Sequence, residues 1–385
     1  MNMDILELKK SHYNNNWAEK MTNSVMERDP ELSDKWSYDY GVIYKGLEQV
    51  WLKTGNKKYF DYIKRNMDFF IDEKGNIDKY SGKDHNIDYL NNGKIVLLLY
   101  KETGDERYKK AAYLLRKQLE THPRTKEGGF WHKDIYTNQM WLDGLYMGAP
   151  FYAEFTKIFG ETKCFDDVAK QIILMNKYAK DAKSGLLYHG WDESREQRWC
   201  NKETGCSPNF WGRSMGWYSM ALVDVLDFLP ENHVQRGRII EILNEVVEAI
   251  IKVQDQDSGV WYQVLDQGKR KGNYLEASGS CMFVYAIAKG ILNGYLSQSR
   301  IEAVVKGYKG IIDNFIEVDK DGLVNLKGTC MVAGLGGTPY RDGTYEYYIS
   351  EPIKYNDLKG IGAFIKASAE IGKLITEVNC TKDLD

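Results

Sequence analysis

The sequence predicts an all-α fold, an (α/α)6 barrel with six inner and six outer helices. Three observations predict it. A unit built around a glycine turn recurs along the chain, one-faced helices alternate with helices that are apolar on nearly all sides, and only 7 of 385 residues are proline. A helix that is apolar all round must be buried, which requires a ring of other helices around it. An open helical solenoid is the alternative, but long aromatic-rich connections favour a closed ring.

Each repeating unit ends one helix, turns at glycine, passes through a short apolar or aromatic stretch and begins a more apolar helix. The turns lie at Gly75, Gly128, Gly185, Gly259 and Gly322. No segment rich in proline, glycine and serine divides the chain, so we expect one catalytic domain over residues 1–385.

The helices themselves alternate in character. Residues 107–120 and 243–251 carry a single apolar stripe, which is typical of an outer helix. Residues 95–100 and 281–292 are apolar on nearly every side, which is typical of an inner helix. The predicted inner helices begin near Tyr38, Asp88, Trp141, Trp211, Ser278 and Leu358.

Composition excludes several classes of protein. A net charge of −3 provides no basic surface for nucleic acid. The chain has no apolar run of the roughly 20 residues that a membrane span needs, and residues 1–10 do not resemble a signal peptide. The six cysteines include no Cys-x-x-Cys pair, so neither a zinc site nor a disulfide framework is expected. We therefore expect a reduced, cytoplasmic protein, a monomer or weak homo-oligomer, without a cofactor.

Asp143 is the first candidate for chemistry. It lies in the apolar segment 139–147, shortly after the segment 129–134, which contains two aromatics, a histidine and a lysine. An unpaired carboxylate in such a run is costly to bury as an anion, which favours the protonated form that a general acid needs. The alternative is structural, because an Asp before an apolar run is often only a helix N-cap.

The other candidates lie at or just before the starts of the inner helices. These positions share one end of a barrel, so residues far apart in sequence should converge there. Asp88 occupies the same place in its repeat as Asp143, and two carboxylates in one pocket separate their pKa values. No third ligand accompanies His132 and His189 at metal-binding spacing, so no metal is expected.

Two further motifs allow more than one interpretation. Arg213, framed by tryptophans and glycines, suits a bidentate clamp on a carboxylate, or else a structural pairing with Asp88 or Glu276. The glycines at 334–337 follow no strand and precede no Gly-Lys-Ser/Thr, which argues against a phosphate loop. We expect a mobile loop over the mouth of the pocket.

Together these motifs resemble glycoside hydrolase family 105, the unsaturated rhamnogalacturonyl hydrolases, from about residue 38 to residue 355. The motifs that carry the resemblance are Gly129-Phe130-Trp131-His132-Lys133, Met140-Trp141-Leu142-Asp143-Gly144-Leu145-Tyr146-Met147, His189-Gly190-Trp191-Asp192 and Trp211-Gly212-Arg213-Ser214-Met215-Gly216-Trp217. The combination of Trp-Leu-Asp-Gly with Trp-Gly-Arg-Ser is specific, whereas either alone is weak.

The resemblance implies an (α/α)6 barrel and hydration of a Δ4,5-unsaturated uronic acid at the non-reducing end of an oligosaccharide. Asp143 would protonate C4 and activate the water that adds at C5, and the hemiketal would then open and release the next sugar. Asp88 would order the ring hydroxyls and tune Asp143. The substrate-binding candidates are His132, Lys133, His189 and Arg213 for the carboxylate and hydroxyls, Trp141, Trp211 and Trp217 for stacking, and Tyr40.

Other functions stay open at this point. An unsaturated glucuronyl hydrolase of family 88 would use the same barrel and paired carboxylates on glycosaminoglycan fragments. A sugar epimerase could employ His132 and His189 as paired acid and base. A sugar-binding barrel without catalysis is a further possibility, although it has no need of an Asp buried among apolar residues.

Overall fold

The computed structural model describes Leu8 and residues 16–380, with side chains as far as Glu377. Apart from Leu8, the segment 1–10 on which the signal-peptide prediction rests lies outside the described residues. In chain order the helices are α1 (Trp17–Arg28), α2 (Tyr38–Thr54), α3 (Lys57–Asp68), α4 (Gly93–Thr103), α5 (Glu106–Thr121), α6 (Leu142–Phe159), α7 (Cys164–Ala179), α8 (Gly212–Leu226), α9 (Arg236–Lys252), α10 (Ala277–Leu292), α11 (Ile301–Phe315), α12 (Tyr345–Ser350) and α13 (Leu358–Cys380). A 3-10 helix, Ile87–Asn92, leads directly into α4.

An inner ring is formed by α2, α4, α6, α8, α10 and α13. Each packs on the next, and α13 closes the ring because it packs on both α10 and α2. An outer helix covers each inner one: α3 on α2, α5 on α4, α7 on α6, α9 on α8, α11 on α10 and α1 on α13. The prediction of an all-α (α/α)6 barrel is confirmed.

Burial follows the two kinds of helix predicted. Every residue of α8 is buried, whereas α9 buries one stripe and exposes the other side. The turns after α2 and α4 use Gly55 and Gly104 with φ of 65° and 68°, a left-handed conformation in which a Cβ would be strained. The local sequence therefore ends these inner helices and lets the chain reverse into the outer helix.

Three short antiparallel pairs lie in the connections between helices. They pair β1 (Gln139–Trp141) with β2 (Gly190–Asp192), β3 (Ile316–Val318) with β4 (Val324–Leu326), and β5 (Thr329–Cys330) with β6 (Ile353–Lys354). In the first pair Met140 lies opposite Trp191. Within the described residues, no helix has the length and apolarity to cross a membrane.

Candidate active site

The β1–β2 pair brings together two motifs that are distant in sequence. Trp141 lies opposite Gly190, and the Leu142 N–H donates to the His189 carbonyl over 3.0 Å. This backbone register places Asp143, in the first turn of α6, beside His189. The His189 Nε2 atom lies 3.1 Å from the Asp143 Oδ2 atom. Asp143 therefore has a polar neighbour within ion-pair distance, although the two atoms form no hydrogen bond among the described residues.

His189 is held from its other side by Tyr348 of α12. The Tyr348 hydroxyl lies 2.8 Å from His189 Nδ1, and the imidazole is fully buried. Burial, followed by the neighbouring Tyr347, raises the pKa of Tyr348 well above its usual value, so this phenol keeps its proton. If the phenol donates to Nδ1, the Nε2 atom carries the imidazole proton beside Asp143, although neither Nε2 nor Asp143 Oδ2 forms a hydrogen bond among the described residues.

Asp88 occupies a second, more basic environment. Its carboxylate lies 2.7 Å from Lys133 Nζ and 3.6 Å from His132 Nε2, and the Ile87 N–H donates to the His132 carbonyl. Burial opposes ionisation of Asp88, but Lys133 and His132 outweigh it and lower the pKa of the carboxyl. Burial also lowers the pKa of His132 to about 4, so near neutral pH Lys133 is the cation beside Asp88.

Neither carboxylate acts as a helix cap. Asn86, and not Asp88, caps the 3-10 helix by accepting from the Asp88 N–H. Trp141 holds the N-cap position of α6, with no capping bond from its side chain. A capping role therefore does not explain either carboxylate. Their neighbours do account for their orientation, since Asp143 faces His189 and Asp88 faces Lys133.

Tyr38, rather than Tyr40, lies with the candidate residues. Burial, followed by the charge of Asp39, raises the pKa of the Tyr38 phenol well above the usual value, with smaller influences from Arg213, Asp88 and Asp143. The Tyr38 ring lies 6.5 Å from that of Trp217. Tyr40 instead packs among Tyr44 and Phe70 in the core and donates its hydroxyl to Asp34. The structure therefore does not bring Tyr40 into the site. Tyr38, by contrast, is the first residue of an inner helix, and Asp88 and Asp143 also lie near the starts of inner helices.

Arg213 is almost fully buried, with 1% of its surface exposed. Its guanidinium donates to the Cys330 carbonyl, lies 3.9 Å from a Glu276 carboxylate oxygen and sits 4.6 Å from the centre of the Trp211 ring. Burial opposes its charge, but the acidic groups around it raise its pKa further. This geometry favours the structural pairing with Glu276, and leaves the role of Arg213 toward a ligand to be tested.

The three tryptophans predicted to stack on a sugar are all buried. Trp141 stacks on His132 at 4.4 Å and on Tyr136 at 4.6 Å. Trp211 lies between His189 and Tyr348, and Trp217 stacks on Tyr146 at 4.8 Å. Their exposures are 5%, 1% and 1%. Each tryptophan has at least one protein ring packed against it, so stacking on a sugar stays a prediction.

Comparison with known proteins agrees with this architecture. The family model described as Glycosyl Hydrolase Family 88 matches residues 13–375. A solved structure titled as a family 105 glycoside hydrolase from C. acetobutylicum is 54% identical in sequence and superposes with a TM-score of 0.92. The match spans 93% of this chain and 100% of that one.

Two curated relatives are more distant. The 24.9 kDa protein in picA locus of Rhizobium radiobacter is 39% identical over 230 residues, which are 58% of this chain and 97% of that protein. The unsaturated rhamnogalacturonyl hydrolase YesR of Bacillus subtilis is 25% identical over 339 residues, which are 84% of this chain and 90% of that one. The barrel, the family match and the structural relative at 54% identity together show that the chain belongs to glycosyl hydrolase family 88 and, among those proteins, to the glycoside hydrolases of family 105.

Proposed function

We propose that this protein hydrates the Δ4,5 double bond of an unsaturated galacturonic acid at the non-reducing end of a rhamnogalacturonan oligosaccharide, releasing rhamnose. The observation that carries the proposal is the pair of carboxylates in two different environments: Asp143 against His189 at 3.1 Å, and Asp88 against Lys133 at 2.7 Å. Titratable groups in unlike environments take unlike roles in acid–base chemistry.

Asp143 is the proposed proton donor. Its proton goes to C4 of the enol ether, and the positive charge that develops is shared by C5 and the ring oxygen. Asp88, held ionised by Lys133, stabilises that charge. Asp143, now an anion, accepts a proton from the water that adds to C5, so the carboxyl is regenerated.

The product of hydration is a hemiketal at C5, which opens and breaks the bond to the next sugar. The reaction displaces nothing at the anomeric carbon, so the separation of the carboxylates predicts neither retention nor inversion. Lys133, whose side chain is 25% exposed, is the proposed partner of the uronate carboxylate. Arg213, buried against Glu276 and the Cys330 carbonyl, is proposed to support the site from behind, and His132 and His189 are proposed to orient the two carboxylates toward the ring. Tyr38 joins this group because its phenol is influenced by both carboxylates and by Arg213.

One relative supports the choice of substrate, and a second supports the family alone. YesR is named an unsaturated rhamnogalacturonyl hydrolase, and the structure at 54% identity is titled a family 105 enzyme. An unsaturated glucuronyl hydrolase acting on glycosaminoglycan fragments is the second candidate, because the matching family model bears the family 88 description. We further propose a cytoplasmic monomer or weak homo-oligomer that receives small imported oligosaccharides; detection in the culture medium, or a stable large assembly by light scattering, would contradict this.

The test follows the ultraviolet absorbance of an unsaturated galacturonyl-rhamnose disaccharide mixed with the purified protein. We expect the enol-ether band to disappear with release of rhamnose, and Asp143→Asn to abolish turnover while retaining binding of the disaccharide. Asp167→Asn is a matched control, because Asp167 is a half-buried carboxylate of the outer helix α7 that pairs with Arg124.

Each other result supports a different function. Loss of the band only with a chondroitin-derived unsaturated disaccharide would favour the glucuronyl hydrolase. If neither band falls, the hydration proposal is wrong, and retained binding by the Asp143→Asn variant would then favour a binding barrel. A change of sugar configuration without bond cleavage would indicate an epimerase.

A further inference from the structure

Residues 334–341, expected from the sequence to form a mobile loop, are instead anchored between β5 and α12 against the β1–β2 pair. Leu335 is fully buried in one apolar cluster with Trp141 and Trp199. Gly190 of β2 makes room for this contact, since a Cβ there would lie 2.6 Å from Leu335 Cδ1. The 334–341 loop is thus packed directly on the strand pair that aligns Asp143 with His189.

Arg341 fastens this loop to Tyr136, which stacks on Trp141. Its Nε donates to the Gly336 carbonyl over 2.9 Å, and its Nη2 donates to the Tyr136 hydroxyl over 2.7 Å and to the Leu335 carbonyl over 3.3 Å. A planar guanidinium can serve these acceptors at once, whereas an ammonium cannot reproduce the fork. Arg341 therefore ties the turn of its own loop to Tyr136.

From Tyr136 a series of ring contacts leads to Asp88. Tyr136 stacks on Trp141 with ring centres 4.6 Å apart, and Trp141 stacks on His132 at 4.4 Å. His132 Nε2 lies 3.6 Å from Asp88. Because each ring is held by the next, a shift of Tyr136 would be passed to the imidazole beside Asp88.

A second series of contacts leads from the same loop to Asp143. The Gly334 N–H donates to the Tyr347 hydroxyl over 3.0 Å, and the Tyr347 and Tyr348 rings lie 5.2 Å apart. Tyr348 holds His189, which faces Asp143. The two ends of the 334–341 loop thus contact the supports of both histidine–carboxylate pairs.

We propose that Arg341 is a positioning residue, which through the 334–341 loop keeps both histidine–carboxylate pairs in the geometry needed for turnover. This inference rests on the proposed hydration of an unsaturated uronide for its activity readout. It assigns Arg341 no contact with the substrate. Loosening the loop should therefore slow the chemical step more than it weakens binding.

The experiment compares Arg341→Met, Arg341→Lys, Tyr136→Phe and the double variant Tyr136→Phe/Arg341→Met. We expect Arg341→Met to lower kcat about tenfold or more with KM changed by less than about threefold. Tyr136→Phe should lower kcat by a smaller factor. In the Arg341→Met background it should cause almost no further loss of kcat, because the two side chains share one hydrogen bond. Arg341→Lys should have a kcat between those of Arg341→Met and the wild type.

Arg270→Lys is the matched control. Arg270 also lies over a tyrosine, with its guanidinium 3.7 Å from the Tyr345 ring centre, and it pairs with Glu346, but its side chain is 47% exposed. This variant should keep wild-type kcat and KM. An Arg341→Met enzyme with kcat within twofold of wild type, or a loss confined to KM, would overturn the inference.

Hydrogen exchange provides a readout that needs no substrate. In Arg341→Met we expect the amides of residues 132–142 and 189–191 to exchange faster, while those of α9 stay unchanged. If the wild type turned over no unsaturated disaccharide, the proposed function would fail, yet exchange would still decide the positioning role. Unchanged exchange at 132–142 would refute that role even in an active enzyme.

Discussion

His189 Nε2 lies 3.1 Å from Asp143 Oδ2, and the register of the β1–β2 pair determines that contact. The Asp143 motif and the His189 motif belong to successive repeats, and each is recognisable by itself. Their approach places a buried imidazole beside the carboxylate, and Tyr348 from a third part of the chain holds that imidazole in place. The proposed proton donor is therefore positioned by two loops that are remote in sequence.

Tyr348→Phe should lower kcat about tenfold, because His189 loses the bond at Nδ1 that fixes its orientation toward Asp143. The ring of Phe keeps the packing against Trp211. Steady-state kinetics on the unsaturated disaccharide measure the effect. Tyr345→Phe, which removes a hydroxyl bonded to loop carbonyls of Arg270 and Lys271, is the control and should leave kcat unchanged; equal losses in both variants would contradict the prediction.

Lys133→Met should move the acidic limb of the kcat/KM profile to higher pH. Lys133 lowers the pKa of Asp88 against the effect of burial, so removing the ammonium raises that pKa. The stabilisation that depends on ionised Asp88 is present above the unfolded pKa of about 3.9 and is lost as pH falls through the lower folded pKa. Lys133→Arg retains a cation and should shift the limb less. A profile that does not move in Lys133→Met would rule out this coupling.

His132 should make the folded protein less stable as pH falls from about 6.5 toward 4. Burial lowers its pKa to about 4, so the unfolded chain binds a proton that the folded protein does not bind in this range. The difference in unfolding free energy between wild type and His132→Asn should change by up to about 3 kcal/mol across that window and be flat above it. Urea unfolding at a series of pH values measures it. A difference that does not vary with pH would contradict the prediction.

Lys94→Met should stabilise the protein by roughly 1–3 kcal/mol at pH 7. Lys94 is 2% exposed, its Nζ has no hydrogen-bond partner within the described residues, and it lies 3.6 Å from the Tyr146 ring centre. Burial, followed by the charge of Lys366, lowers the Lys94 pKa well below its usual value. The unfolded chain therefore binds a proton that the folded one resists, and this penalty is removed only as pH rises toward the unfolded pKa of about 10.4.

Lys366→Met is the contrasting variant. Its ammonium lies 2.9 Å from Asp224, a buried carboxylate that Lys289 also contacts at 2.7 Å. Removing Lys366 leaves part of that buried charge uncompensated, so we expect a loss of about 3 kcal/mol or more. Thermal unfolding of both variants measures whether each substitution raises or lowers the melting temperature. A lower melting temperature for Lys94→Met would contradict the account of an unpaired buried amine.

The fold was predictable because its signals are local. An apolar stripe or an all-round apolar helix is visible in any window of a few turns, and glycine turns separate the windows. The starts predicted for the inner helices agree with those observed to within a few residues, as at Tyr38 and Leu358. The repeat also indicated that Asp88 and Asp143 belong to the same end of the barrel.

What each side chain contacts depended on the tertiary structure. Tyr38 and Tyr40 are two residues apart on α2, so at about 100° per residue they face opposite ways, and only the closed ring decides that Tyr38 lies against Trp217 while Tyr40 packs on Phe70. The sequence alone determined the helices, the repeat and the set of candidate residues, because these follow from local periodicity and motif spacing. The tertiary structure decided that His189 pairs with Asp143, that Lys133 pairs with Asp88 and that the three tryptophans are covered, because strand register and loop packing join residues that no local pattern relates.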